Sequence, residues 1–374
     1  VKIGIICYPT YGGSGIVATE LGKELAERGH EIHLISYAPP LRLNRMTPNI
    51  YFHEVEVTSY PLFDHPPYTL ALATKMTEVA ELQRLDLLHC HYAIPHSVSA
   101  FLAKSMLQPR RLPVVTTLHG TDITLVGSDR SYLPITRFSI DQSDGVTAVS
   151  HYLRQATYDS FSVQSEIEVI YNFVNCNIYR QEPRPGLRAR FATAGERILI
   201  HLSNFRAVKR PGDVVEIFLR VQKQTPAILL MVGDGPERGN AEYLVHHYGL
   251  ERKVWFLGKR DNIEELIGVA DLLLLPSETE SFGLVALEAM ACQVPVVVSK
   301  VGGLPEVISD GREGFLVEKH DVDGMAVKAL EILGNDTLRR TMGMNGRATA
   351  KARFCSDEIV QQYETYYEKI LSKA

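Results

Sequence analysis

Short, nearly unbroken apolar runs alternate with longer amphipathic stretches along most of this chain, and that alternation restricts the fold more than any other feature. Ile3–Cys7, Glu31–Ser36, Leu85–His89, Val114–Leu118 and Gly145–Val149 have the length and composition of strands, with helix-period segments between them. The first of those helices, around Ile16–Arg28, is closed by Gly29-His30. Near-continuous apolar strands separated by helices predict a parallel sheet covered on both faces. The pattern then restarts with Ile198–Ser203, Ala227–Val232, Val254–Leu257, Leu272–Leu275 and Val294–Ser299. Between the two series, Val174–Glu196 carries Pro183, Pro185 and Gly186 and reads as a connection.

A single core rarely grows past roughly 250–300 residues, and this chain has 374. The expected class is therefore α/β, with two Rossmann-like doubly wound domains over residues 1–165 and 170–355. A tyrosine-rich last helix, within 357–374, could pack back on the first of them. Such folds bind ligands beyond the carboxyl ends of their strands, so two facing domains would line one cleft with those ends.

The bulk chemistry excludes several classes. A net charge of −5 without a basic run gives no footprint for nucleic acid. The five cysteines are scattered, without CxxC spacing, which points to a reducing compartment rather than a disulfide scaffold. Val1–Cys7 reads as a buried strand and not as a signal-peptide core. No apolar run approaches the ~20 residues of a membrane span. A cytoplasmic enzyme without a transmembrane segment is expected; homo-oligomerisation is left open.

The candidate chemistry falls at strand ends. Gly12-Gly13-Ser14-Gly15 follows the first strand and opens a helix, which suits either a phosphate, held by free N–H groups, or a tight turn. It is not GxGxxG and has no P-loop lysine, which disfavours a nicotinamide-dependent oxidoreductase. His89 and His91 share a strand face, as metal ligands would, but no Asp, Glu or Cys nearby completes a set; the alternative is a strand end at the cleft that offers Tyr92 to a ligand. His119-Gly-Thr-Asp122 follows another strand: His119 contacts the reacting centre or is packed, and Asp122 could cap the next helix. Arg137, further on, suits a carboxylate. In the second half Ser203-Asn-Phe-Arg206-Ala-Val-Lys209-Arg210 sets cations after a strand, where they could neutralise a leaving diphosphate or simply be solvated. Gly233-Asp-Gly-Pro236 makes a glycine turn at another strand end.

Glu280 to Glu288 is the most specific segment. Glu280 is expected in a loop and Glu288 on the helix that follows, whose first amides, at Phe282, Gly283 and Leu284, would face an anion or sugar hydroxyls.

This E-x7-E segment resembles the signature of the family 4 retaining glycosyltransferases of the GT-B fold. The glycine loop, His119-Gly-Thr-Asp122, Lys209, Gly233-Asp-Gly-Pro236 and Gly302-Gly-Leu-Pro-Glu306 stand in the order of that family over essentially the whole chain. The resemblance implies that Glu288 holds the nucleotide ribose, Glu280 the donor sugar, and the backbone at 282–284 the sugar and phosphate region. It places uracil near Lys259-Arg260, and Gly13, Gly15, Asn204 and Gly233 on the donor side. At the position where the family usually carries an arginine this chain has Asn204, so Arg206 is expected to replace it.

Cys7-Tyr-Pro, His91-Tyr-Ala-Ile-Pro-His96 and Thr116-Thr-Leu-His-Gly-Thr-Asp-Ile-Thr124 further resemble the branch that joins N-acetylglucosamine from UDP-GlcNAc to L-malate, opening bacillithiol synthesis. For that acceptor, Ser14, Tyr92, Thr117 and Arg137 are the expected carboxylate pocket. His119, Arg206, Lys209 and Glu280 are the expected catalytic group. No cofactor is expected: UDP-GlcNAc is a substrate, and no DxD-type metal motif is apparent. Another small acceptor such as an inositol phosphate, or a UDP-sugar hydrolase or 2-epimerase, remains the alternative.

Overall fold

The computed structural model describes residues 1–10, 12–43, 47–57, 65–124, 126–127, 129–193 and 195–373. The chain divides into two compact units: Val1–Asn172 with Asp357–Ala374, and Phe173–Ser356. Among the described residues, no helix is long and apolar enough to cross a membrane.

The first unit is built on seven strands: β1 (Lys2–Ile6), β2 (Glu31–Ser36), β3 (Ile50–Glu54), β4 (Leu87–His91), β5 (Val114–Leu118), β6 (Gly145–Ala148) and β7 (Ile167–Val169). They form one sheet in the order β3-β2-β1-β4-β5-β6-β7, parallel throughout. The sequence pattern misses β3 and β7 because they are the sheet edges. There a strand keeps half its residues in water and loses the continuous apolar signal. β4 begins two residues later than Leu85–His89 suggests; the even shift leaves His89 and His91 on one face.

The second unit repeats the plan with β8 (Arg197–Leu202), β9 (Ala227–Val232), β10 (Val254–Gly258), β11 (Leu272–Leu275), β12 (Val296–Ser299) and β13 (Gly314–Val317), in the order β10-β9-β8-β11-β12-β13. Its core is cemented by the helix Pro211–Gln222, which buries Val214, Ile217, Phe218 and Val221 at the i, i+3, i+4, i+7 spacing of one helical face. Each such side chain removed from water contributes about 1.5–3 kcal/mol.

In each sheet the strand order reverses once along the chain, between β1 and β4 and between β8 and β11. Adjacent connections diverge at such a point and leave a crevice beyond the strand ends. The glycine loop and Tyr92 flank the first crevice; Ser203–Arg210 and the Glu280 loop flank the second.

The last helix, Ser356–Leu371, runs into the first unit and is part of its core. Tyr363, Tyr366 and Tyr367 are buried. The Tyr366 hydroxyl donates to the Val146 carbonyl at 3.1 Å, and Gly145 is required beneath it, because a Cβ there would come within 2.8 Å of that oxygen.

Candidate active site

In the second unit the crevice is lined by two loops that adjacent strands deliver side by side. The loop after β8 is anchored by Phe205, wholly buried at φ 38°, whose carbonyl accepts from Glu237 N at 2.9 Å. That anchor leaves Arg206 exposed, and among the described residues it has no ion-pair partner. A tight turn, Ala207–Lys209, then aims Lys209 across to the loop after β11. Lys209 Nζ meets Glu280 Oε1 at 2.5 Å, and the Ser277 hydroxyl donates to the same oxygen at 2.9 Å. Glu278 N donates to the Val208 carbonyl at 2.8 Å, so backbone as well as charge joins the two loops.

The glycines explain how the loops are held. At Gly302 (φ 56°) a Cβ would lie 1.8 Å from the Glu280 carbonyl oxygen, and Gly303 N donates to that same oxygen at 2.9 Å. Gly233 and Gly235 approach Ser203 and Asn204 as closely, 1.8 and 2.0 Å from their carbonyl oxygens. Only residues without a Cβ permit such backbone contact. Gly233 is thus placed as the support of the β8 loop. Asn204, partly buried, has no hydrogen-bond partner for its Oδ1 among the described residues.

Gly283 (φ 94°) caps the helix Leu284–Ala291, which starts without an acidic residue or a side-chain cap. Its first amides are therefore not taken up by a capping side chain. Phe282 is buried against Phe354 and fixes the entry to that helix. Glu288 lies deeper, 3% exposed, and accepts from the Tyr179 hydroxyl at 2.8 Å. Tyr179 belongs to the segment read as a connection; it carries no periodicity or motif, and nothing in the sequence marks it. Lys259 and Arg260 stand exposed after the edge strand β10, with Arg260 Nε donating to the Leu257 carbonyl at 2.9 Å.

In the first unit the crevice is lined by the glycine loop and the ends of β4 and β5. Gly15 sits against the Tyr8 carbonyl, 2.3 Å from where a Cβ would be, whereas a Cβ at Gly13 would meet nothing within 4 Å among the described residues. The helix Gly13–Glu27 begins with no acidic residue in its first turn and no side-chain cap, and Ser14 is within that turn. Tyr8 also touches Tyr92 edge-on, with ring centroids 5.6 Å apart, and so links the glycine loop to the end of β4. Tyr92 holds φ 106°, a conformation side chains rarely adopt, and its N–H donates to the Thr117 carbonyl at 3.0 Å.

Beneath these residues is a floor of imidazoles. His91 Nδ1 and His119 Nε2 are 2.8 Å apart; His89 Nε2 and Thr117 Oγ1 are 2.7 Å apart; Thr117 continues to Thr147 at 2.7 Å. The Tyr367 hydroxyl reaches His89 Nδ1 at 2.8 Å from the last helix. Burial pushes these rings toward neutrality: His89 and His119 fall to about 3, His96 to about 4, and His91 well below the ordinary value.

Two expectations are corrected here, those for Asp122 and Thr117. Asp122 does not simply cap the helix ahead of it. Its carboxylate turns back and across, accepting from Ala93 N, Gly120 N and His119 N at 3.0, 2.9 and 3.2 Å, and so clamps the ends of β4 and β5 together. Burial raises its pKa to about 6 despite those donors. Thr117 is not an accessible acceptor ligand: it is wholly buried, and its hydroxyl is spent on His89 and Thr147. Both nitrogens of His89 are occupied in the same way, which removes it as a metal ligand. Arg137 stands exposed on the helix Leu133–Asp141, 3.9 Å from Asp141. A surface pair of that kind binds weakly and leaves the guanidinium free to turn.

Known proteins resemble the chain along nearly its whole length. Residues 11–178 match the family described as Glycosyltransferase Family 4, and residues 187–349 match Glycosyl transferases group 1. The chain is 52% identical to the N-acetyl-alpha-D-glucosaminyl L-malate synthase of Bacillus anthracis, over 99% of this chain and 97% of that protein. It is 28% identical to the D-inositol 3-phosphate glycosyltransferase of Mycobacterium avium, over 84% and 79% of the two chains. Among solved structures, Anabaena HepE in complex with UDP and glucose superposes with a TM-score of 0.83 at 23% identity, covering 98% of this chain and 99% of that one. At that identity the likeness establishes the shared two-domain GT-B architecture.

Proposed function

The chain belongs to glycosyltransferase family 4, and on that premise we propose that it transfers N-acetylglucosamine from UDP-GlcNAc to the hydroxyl of L-malate, with retention at the anomeric carbon, in the cytoplasm. The observation that carries this reading is the 52% identity, end to end, to a protein of that printed activity. The donor half-site supports it: a buried carboxylate for the ribose, a second one in a loop, and cations beside it.

Glu288, oriented by Tyr179, accepts from the ribose, and Glu280 from the sugar. The backbone at 282–284, where the helix starts without a side-chain cap, meets the sugar and phosphate region. Lys259 and Arg260 flank the base. As the bond to the sugar breaks, negative charge grows on the diphosphate, and Arg206 and Lys209 stabilise it. The malate hydroxyl attacks the face from which UDP leaves, and the departing phosphate takes its proton, so neither a protein nucleophile nor a metal ion is needed. The amides at Ser14 and Gly15, together with Tyr92 and the mobile charge of Arg137, receive the acceptor carboxylates.

A donor-by-acceptor screen with product mass spectrometry tests this. UDP-GlcNAc with L-malate should give one new glycoside, α-configured by NMR, at a rate unchanged by a chelator. UDP release without malate favours a hydrolase or epimerase. Product formed only with an inositol phosphate favours the activity of the mycobacterial relative.

A further inference from the structure

One histidine pair in the first unit, His91 with His119, does more than pack. His91 Nδ1 lies 2.8 Å from His119 Nε2, and the His91 ring is wholly buried with no hydrogen-bond partner at Nε2 among the described residues. Two neutral imidazoles at that distance share one proton, which leaves two arrangements. If His119 donates from Nε2, neutral His91 carries its own proton on Nε2, and a buried N–H is left without an acceptor. If His91 donates from Nδ1, only a lone pair on its Nε2 is left bare. Orphaned buried N–H groups are the rarer of the two defects.

The neighbouring His96 shows which defect this site tolerates. Its Nδ1 is 2.6 Å from the His91 carbonyl, which can only accept, so the proton is on Nδ1. Its Nε2 is then a buried, bare lone pair. The clamp by Asp122 on His119 N and Ala93 N fixes both strand ends, so the His91–His119 register cannot relax by backbone drift.

The geometry points to His91 as a positioning residue that holds His119 in the Nδ1–H tautomer, so that His119 offers the reacting sugar a hydrogen-bond donor and no base. The second nitrogen of a histidine ring is set by the bond its first one makes. A fixed donor can hold a sugar oxygen in place while the bond to the diphosphate breaks, and it leaves the acceptor's proton to the departing phosphate. The tautomer follows from these contacts alone; its catalytic meaning rests on the function proposed above and on the sequence-based expectation that His119 contacts the sugar at the reacting centre.

Long-range 1H–15N correlation spectra of the full-length protein, labelled with 15N-histidine at pH 8, read the tautomer directly. The His119 signals are assigned by their loss in His119→Gln. Free histidine prefers the Nε2–H form, so an Nδ1–H pattern for His119 in the wild-type protein is the expected and distinctive result. His91→Phe should return His119 to Nε2–H and lower kcat roughly 10- to 100-fold, with the malate KM and UDP affinity unchanged. His91→Asn, whose amide can donate from a similar place, should keep the Nδ1–H pattern and most of kcat. An Nε2–H pattern in the wild-type protein overturns the inference, and this spectrum decides even if His91→Phe does not fold. The same holds if His91→Phe leaves the tautomer unchanged. If the tautomer reverts in His91→Phe while kcat holds, the positioning of His119 stands and its contact with the reacting sugar is refuted.

Discussion

The two crevices are stabilised by opposite means. In the second unit the Glu280 loop is gripped by backbone: Gly302 and Gly303 close on its carbonyls, Glu278 bonds to Val208, and one charge pair, Lys209–Glu280, crosses the gap. In the first unit the strand ends rest on side chains: His89, His91, Thr117, His119 and Thr147 from three strands, and Tyr367 from the last helix. Backbone grips are insensitive to pH and leave the side chains free for ligand. A floor of neutral imidazoles is shaped by burial, and it is vulnerable wherever water or protons reach it.

Acid should separate the two most sharply. His89, His91, His96 and His119 have folded pKa values far below their ordinary 6.5, so below that value the unfolded chain binds protons that the folded one refuses. Stability is complete above about 6.5 and is lost as pH falls toward about 3–4. Asp122 runs the other way: raised to about 6, it is protonated in the folded state first, so it adds stability at low pH that disappears as pH rises through about 6. It offsets part of one imidazole's contribution only. Each net proton taken up on unfolding is worth up to about 1.4 kcal/mol per pH unit. Denaturant midpoints at pH 8 and pH 5 should therefore differ strongly, with the tyrosine signal of the last helix lost first. Equal midpoints would show that the imidazoles already reach water.

Lys209→Ala tests the other side. Removing the cation proposed to stand beside the leaving diphosphate should lower kcat about 10²- to 10³-fold while the malate KM holds. A change confined to the malate KM would remove Lys209 from the donor half-site. The smallest effect is expected for Tyr367→Phe, which deletes one hydroxyl from a buried imidazole and should cost about 1–3 kcal/mol in unfolding free energy. Its UDP affinity, measured by calorimetry, should match wild type. A loss of UDP binding would mean that the two units do not stabilise their crevices independently.

Much of this organisation is legible in the sequence. The alternation of apolar runs and helices announces two parallel sheets, and Glu280 to Glu288 marks the proposed donor half-site, because a loop followed at once by a helix keeps its chemistry within one stretch of chain. Tyr179 is invisible there, and Asp122 and Thr117 mislead, for the complementary reason. Their partners lie on other elements, and a hydroxyl between His89 and Thr147 looks, in sequence, like any other hydroxyl at a strand end. The tyrosines of the last helix are conspicuous, but not that Tyr367 ends on His89, 278 residues away.

The order and spacing of the residues by themselves determined the α/β class, the doubling of the domain and the glutamate motif, because periodicity and loop-to-helix junctions are local properties. Which side chains face a ligand and which are spent inside the sheet was decided only by tertiary packing, since a hydrogen bond between distant strands depends on register and burial that no local pattern encodes.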